Sequence, residues 1–266
     1  MKSKEVKKQY KTSNNLQARM QIHNRYSMNS YGWGRWVFDQ YVFPFGIKIL
    51  ELGCGTGGQW RGKKEVIEKE WDITLTDQSP GMLKRAQENT KNLSQHMTYQ
   101  VVNAEEIPFE DETFDAVIAN HMIYHIPDKE KAIKEMARVI KPKGKLYCTT
   151  LGINNMVELG KLLTAFDPRI DFLNHHVARH FGLENGGQML RKEFKSVEIR
   201  RYKDGLLVKE PDPLYEYILS LKGFGNTVKI IEERGKDAFE EYIYGLFYDK
   251  EHIPITKDGG MFIARK

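Results

Sequence analysis

The sequence predicts an α/β fold: a mostly parallel sheet with helices on both faces. Three observations carry that prediction. Residues 47–52, Ile47-Lys48-Ile49-Leu50-Glu51-Leu52, form a short, mostly apolar run behind Gly46, which reads as a buried strand. The run opens at once into Gly53-Cys54-Gly55-Thr56-Gly57-Gly58, where glycines let the backbone turn tightly and approach a ligand. An acid, Asp77, then ends the next apolar run, about 20 residues past the glycines, where nucleotide-binding units hold a ribose diol. The glycines lack the Lys and Ser/Thr of a triphosphate-binding loop, which argues against an ATPase or GTPase.

In chain order, residues 1–14 form a polar, basic arm expected to be flexible. Residues 1–25 carry seven Lys/Arg against Glu5, so the remainder of a chain of formal charge +5 is close to neutral. The body therefore offers no large positive surface to a nucleic acid. A solvated tail is the default for the arm, with RNA contact the alternative. Residues 15–45 read as two helices interrupted by Gly32 and Gly34, and their many aromatics must be buried. Two placements stay open: packing against the outer helices of the sheet, or folding over the ligand site as a lid. In the second, Tyr26, Tyr31 and Trp33 are pocket residues.

Beyond the glycines, residues 59–70 read as a charged helix with Trp60, Val66 and Ile67 inward. The second strand is Trp71–Thr76. Ser79 and Pro80 open a helix over 80–92. The third strand is Met97–Val102 and the fourth Phe114–Ala119, followed by Asn120, His121 and Met122 at the sheet's carboxyl edge, where open α/β sheets bind ligands. His125 is a candidate there too, with core or cap duty as its alternative. Helix 128–140 carries Ile133, Met136, Ala137 and Ile140 at helical spacing. Pro142 and Gly144 turn the chain into a fifth strand, 145–150. Helices are expected at 154–166, 173–183, 186–192, 213–222 and 226–245, with strands at 197–202, at 205–210 (extended) and at 259–264.

At 266 residues the chain suits one large α/β core with a smaller attachment. No apolar run could span a bilayer and no signal-peptide core opens the chain. Two cysteines, Cys54 and Cys148, suggest no disulfide framework, so a cytoplasmic site is expected. His175, His176 and His180 lack metal-ligand spacing, and no metal is expected.

Four blocks together resemble one family. ELGCGTG (51–57), TDQSPGMLKRA (76–86), VVNAEEIPFEDETFDAVIANHMIYHI (101–126) and EMARVIKPKGKLY (135–147) are similar, in order and spacing, to the class I S-adenosylmethionine-dependent methyltransferases. The stretch 104–126 looks most like the small-molecule (methyltransferase type 11, quinone- and sterol-like) branch. The resemblance covers 46–150 well and the ends loosely. It implies a Rossmann-like, seven-stranded sheet whose last strand pairs antiparallel beside the sixth, with core 46–150 plus 195–202 and 258–266. An N-terminal lid (15–45) and helical cap elements (154–192 and 203–257) complete a single domain, 15–266.

The resemblance further implies S-adenosyl-L-methionine as cofactor, held by Glu51, Gly53, Cys54, Gly55, Gly57, Asp77, Gln78, Asn103, Ala104, Glu105 and Asn120. Asn103 departs from the Asp common in the family. Its amide carbonyl can accept the same hydrogen bond without charge assistance, or the Ala104 and Glu105 backbone supplies it. The expected reaction is in-line transfer of methyl to an O or N atom of a small molecule. His121 is the candidate base, imidazole having an ordinary pKa of ~6.5. Met122, His125, Phe166, Phe181, Tyr215 and Tyr217 join Tyr26, Tyr31 and Trp33 as acceptor-pocket candidates. No Asn-Pro-Pro-Tyr, Asp-Pro-Pro-Tyr or catalytic Pro-Cys sequence occurs, which lowers the DNA and RNA readings. The alternatives are a non-catalytic cofactor-binding protein and an RNA or peptide methyltransferase.

Overall fold

A computed structural model describes residues 13–67, 70–222 and 225–266; the basic arm therefore lies outside the described residues for all but its last two positions. The chain divides into two compact units. Of the described residues, one comprises those within 33–151, 180–201 and 260–266, and the other those within 13–32, 152–179 and 202–259.

The first unit carries the sheet. Its strands are β1 (Lys48–Leu52), β2 (Asp72–Asp77), β3 (Met97–Val101), β4 (Phe114–Asn120) and β5 (Ile140–Leu151), with the first part of β6 (Ser196–Val208) and the last part of β7 (Ile253–Arg265). The seven strands run in the order β3-β2-β1-β4-β5-β7-β6. β1 pairs parallel with β2 (Glu51 opposite Leu75) and with β4 (Glu51 opposite Ile118); β2–β3 and β4–β5 are parallel too. β7 is reversed. Lys195 donates to Arg265 O at 2.9 Å while Gly260 lies against Arg200 O, so numbers rise on one strand as they fall on the other. On its other side Lys266 N donates to Gly144 O and Cys148 bonds the Phe262 backbone, again antiparallel.

The strands alternate faces, and each face has its own core. Leu50, Leu52, Val117 and Ala119 meet Ile133, Met136 and Ala137 of the helix Lys129–Val139. Ile49, Ile73, Leu75, Ala116 and Ile118 meet Leu83 and Ala86 of the helix Pro80–Asn89, and Val37 of the helix Trp33–Asp39. In chain order these helices are α2 (Trp33–Asp39), α3 (Pro80–Asn89) and α4 (Lys129–Val139), with α6 (Gly186–Leu190) behind them. Ser79 Oγ accepts from Met82 N at 3.4 Å with Pro80 in the first turn of α3; Asp128 caps α4 through Lys131 N at 3.0 Å. Gly260 has no room for a side chain: a Cβ would sit 2.4 Å from Arg200 O. Backbone cannot yield there as a side-chain tip would. Gly260→Ala is therefore expected to lose about 3 kcal/mol, read from the denaturation midpoint at constant m-value.

The other unit is mainly helical: α1 (Ser13–Tyr26), α5 (Val157–Phe166), α7 (Pro211–Leu219), α8 (Thr227–Arg234) and α9 (Lys236–Gly245). Its core gathers Ile22, Tyr26, Leu159, Leu163, Leu214, Ile218, Ile231 and Phe239 with Leu206 and Ile255 of the two long strands. The two aromatic-rich N-terminal helices thus fall in different units.

Several sequence expectations are corrected. Residues 59–70 form successive turns rather than a helix where described. Of the expected inward residues Val66 is 49% exposed, and Gly62 takes φ +74°, so neither an apolar stripe nor helical backbone is sustained. The helix expected at 173–183 shrinks to one 3₁₀ turn, Val177–Arg179. Leu173, Val177 and Phe181 have helical spacing, but Phe181 and Leu183 are drawn to the sheet: Thr150 Oγ1 donates to Phe181 O at 2.6 Å and Leu183 N to Leu151 O at 3.1 Å. The single helix at 226–245 is two, broken at Gly235 with φ +99°. The strands at 197–202 and 205–210 are one, β6. The turn at Pro142–Gly144 is a bulge inside β5: Phe114 pairs with Ile140, but Ala116 pairs with Lys145.

Candidate active site

The strand order reverses between β1 and β4, so the crevice at their carboxyl ends is the topological switch point of the sheet. Glu51 lies near the end of β1 and Asn120 at the end of β4. Because Glu51 is opposite Ile118, Asn120, two residues on, shares that face. Glu51 is 3% exposed. Its Oε2 accepts from Trp60 Nε1 at 2.5 Å, and the Asn120 amide also favours its ionised form. Burial pushes its pKa up to about 7; the Asp77 charge adds to the rise, while the Trp60 and Asn120 hydrogen bonds oppose it. Tyr41 Oη, in turn, accepts from Asn120 Nδ2 at 2.8 Å.

Asp77, at the end of β2, is latched to the glycine turn. One carboxylate oxygen accepts from Gly55 N at 3.0 Å and the other from Ser79 N at 2.8 Å. Burial raises its pKa against those two bonds. Among the described residues, no lysine or arginine pairs with Glu51 or Asp77; their contacts here are a neutral indole, an amide and two backbone N–H groups. The crevice therefore holds acceptors and acidic groups that suit a cationic ligand.

Gly53 has φ +66°, and a Cβ there would come 3.0 Å from Met122 Cβ, so the turn and the segment after β4 touch directly. A Cβ at Gly55 would meet nothing within 4 Å, leaving backbone beside Asp77 open to approach. Burial raises the Cys54 thiol pKa far above its ordinary value, so Cys54 is a thiol and not a nucleophile. Gln78 is exposed. Asn103 is exposed as well, and its Oδ1 accepts from Glu105 N at 3.1 Å, an Asx-type turn that engages the side chain locally. Ala104 is buried, while Glu105 Oε1 accepts from Asp128 N at 2.7 Å.

His121 stands at φ +50°, a left-handed conformation unusual for a residue with a Cβ. Its N–H meets both Thr149 O and Thr149 Oγ1 at 3.1 Å, which fixes the strained backbone to β5. Its ring lies 5.3 Å from that of Trp33, which stacks on Trp36, and 6.3 Å from Tyr124. His125 rests edge-on against Tyr124 at 4.5 Å. Thus Trp33, His121, Met122 and His125 fall in the sheet unit with the glycine turn. Phe181 belongs there too but is fully buried against Phe262.

The remaining pocket candidates lie in the helical unit. Tyr26 is buried, its hydroxyl donates to Glu210 at 2.9 Å, and burial holds its pKa at about 12. Tyr31 is 44% exposed. Phe166 and Tyr215 pack around Phe239, and the buried Tyr217 hydroxyl donates to Met156 Sδ at 3.0 Å. A cavity of about 510 Å³ opens in this unit between α1 and α7, beside Arg25, Glu210 and Glu216. Among the described residues no cluster of His, Cys, Asp or Glu is placed to hold a metal, and no helix is long and apolar enough to cross a membrane.

Two participants escaped the sequence reading: Trp60 as donor to Glu51, and Tyr41 as partner of Asn120. The signal for Trp60 was a lone large aromatic nine residues past an acid, in a segment with few other apolar residues. Tyr41 was hidden among the aromatics of 26–43, whose spacing does not distinguish core from site.

The crevice can thus take a cofactor that carries a positive charge and a sugar, and comparisons with known proteins name one. Residues 50–148 match the methyltransferase-domain family model Methyltransf_11. A ubiquinone/menaquinone biosynthesis C-methyltransferase UbiE from Shewanella woodyi is 27% identical over 193 residues, 66% of this chain and 77% of that one. The UbiE of Cronobacter sakazakii is 34% identical over 116 residues, 43% of this chain and 46% of the relative, so that match spans less than half the relative's length. Among solved structures, phosphoethanolamine N-methyltransferase 2 of Haemonchus contortus, in complex with S-adenosyl-L-methionine, has a TM-score of 0.59 at 22% identity. That match covers 96% of this chain and 57% of that one, and it shows a shared fold. Sheet order, glycine turn and sequence agree: residues 50–148 carry a class I S-adenosylmethionine-dependent methyltransferase domain, and its cofactor is S-adenosyl-L-methionine.

Proposed function

We propose that the protein methylates a small-molecule acceptor, with Glu51 receiving the cofactor's ammonium, Asp77 its ribose diol, and the Gly53–Gly57 turn its backbone-facing edge. The observation that carries this reading is the pair of acids, Glu51 and Asp77, without a protein cation beside the open backbone of Gly55. The bound cofactor supplies an activated methyl on a sulfonium, so the reaction needs no covalent enzyme intermediate. What the chain contributes is position and exclusion of water. Asn103, Ala104 and Glu105 lie where the adenine would be read, with Ala104 and Glu105 backbone favoured because the Asn103 side chain is engaged in its own turn. His121, with its backbone pinned by Thr149, takes the acceptor's proton at its imidazole.

Transfer runs in line onto an O or N atom of the acceptor. The UbiE relatives are C-methyltransferases by name, which favours a second reading: an electron-rich ring carbon as the attacking atom. Acceptor selectivity resides in the stretches 20–36, 154–186 and 203–245, outside the sequence that defines the family. A cytoplasmic location and the lack of a nucleic-acid substrate belong to the same proposal. The test is turnover of a panel of phenols, quinols and amines with methyl-labelled cofactor. Mass spectrometry would show the labelled product and NMR the atom that carries the label. Labelled O or N supports the first reading and labelled carbon the second; no product from the panel, with the cofactor bound, favours a non-catalytic binding protein. Full turnover by His121→Ala across the pH range would remove the base.

A further inference from the structure

The hydrogen bonding of Asn120 is lopsided. Its Nδ2 donates to Tyr41 Oη at 2.8 Å, and the same amide acts on the Glu51 carboxylate, lowering its pKa. Its Oδ1 is buried, and among the described residues no protein group donates to it. A buried carbonyl oxygen without a donor is rare in folded proteins and asks for a function. This one stands at the carboxyl end of β4, on the face it shares with Glu51 across the switch point. An amide turned the other way would set its two N–H groups where Oδ1 now stands, and would repel a cation.

We propose that Tyr41 is a positioning residue for the cofactor. By accepting from Nδ2 it holds the Asn120 amide with Oδ1 free to accept, and Oδ1 and Glu51 together form the acceptor pair for the ammonium of the cofactor's amino-acid portion. The inference rests on the cofactor placement proposed above and adds a residue that no motif marks. It makes the site selective for a ligand with a primary ammonium over one that merely carries adenosine.

Two features separate this role from plain packing. The Tyr41 ring stacks on Phe43 at 5.1 Å and meets Tyr147 edge-on at 5.2 Å, contacts that Phe would keep. The hydroxyl is what Asn120 requires. The Asn120 amide also acts on Glu51, so loss of the Tyr41 acceptor loosens the amide without freeing it.

The experiment is calorimetric titration of the full chain with S-adenosylhomocysteine and with its deaminated analogue, in which hydrogen replaces the amino group. In Tyr41→Phe the affinity for S-adenosylhomocysteine is expected to fall about tenfold while that for the deaminated analogue changes less than twofold. Asn120→Leu, which removes the acceptor outright, should show the same selectivity more strongly. Thermal melts of both variants check that they fold. Equal losses for the two ligands would assign Tyr41 to packing alone and overturn the proposal, as would no loss for either. If the unaltered protein binds neither ligand, the cofactor placement itself fails; if it binds both and only the selectivity is missing, the Tyr41 role alone fails.

Discussion

Glu51→Gln is expected to weaken S-adenosyl-L-methionine about 100-fold at pH 7.5 and, at the same pH, to make the cofactor-free protein more stable. The first effect follows from loss of a charged acceptor in a buried site, a change of roughly 1.5–3 kcal/mol per charge-assisted bond. The second follows from burial. The folded-state pKa of Glu51 is about 7 against an ordinary 4.5. A raised carboxyl pKa favours the folded state fully below the ordinary value, and that contribution disappears as pH rises through about 7. Above it the ionised carboxylate stays buried without a cation, at a cost of about 3 kcal/mol from ~1.36 kcal/mol per pKa unit. Gln keeps an oxygen for Trp60 Nε1 and cannot ionise. Calorimetry should therefore show lost affinity, and a melt at pH 7.5 a midpoint raised by several degrees. A variant that binds normally would show that the ammonium is held elsewhere.

Asp77→Ala is expected to match that loss in affinity, about 100-fold, whereas Asn103→Ala should cost no more than a few fold. The difference is geometric. Asp77 is half-buried at the end of β2 and already orders the glycine turn through Gly55 N and the start of α3 through Ser79 N. Its removal takes away both the acceptors proposed for the ribose and the latch that shapes the turn. Asn103 is exposed and its oxygen serves Glu105 N. Titration of both variants with S-adenosylhomocysteine, alongside near-UV circular dichroism to show that each is folded, decides the ranking. Equal or inverted losses would remove Asp77 from the ribose.

The contrast between these residues shows what the sequence makes legible. Buried parallel strands announce themselves, because Ile49-Leu50 and Val117-Ile118 are apolar on both faces and no exposed surface strand has reason to be. Glu51, Asp77 and the glycines were legible because strand, turn and acid follow each other within one local unit. The segment 59–70 was misread because charge and sparse apolar residues do not separate a solvated helix from turns, and Gly62 decided the matter. The stretch 173–183 was misread for the opposite reason. Its helical spacing was real, but Phe181 and Leu183 gain more by joining the sheet core than by extending a helix. Trp60 and Tyr41 act through partners 9 and 79 positions away, a distance that local patterns do not carry.

In the proposed placement, a buried Glu51 gives up its proton to receive a cationic cofactor. Calorimetric titration with S-adenosyl-L-methionine at pH 6 and pH 7.5, repeated in buffers of different ionisation enthalpy, tests it directly. Both values lie below the ~7.7–8.0 of an α-amino group, so the ligand's own ammonium stays largely charged. With Glu51 titrating near 7, binding at pH 6 should release close to one proton from the protein, and affinity should be about tenfold lower than at pH 7.5. Affinity that is the same at both values, with no buffer-dependent enthalpy, would contradict the claim.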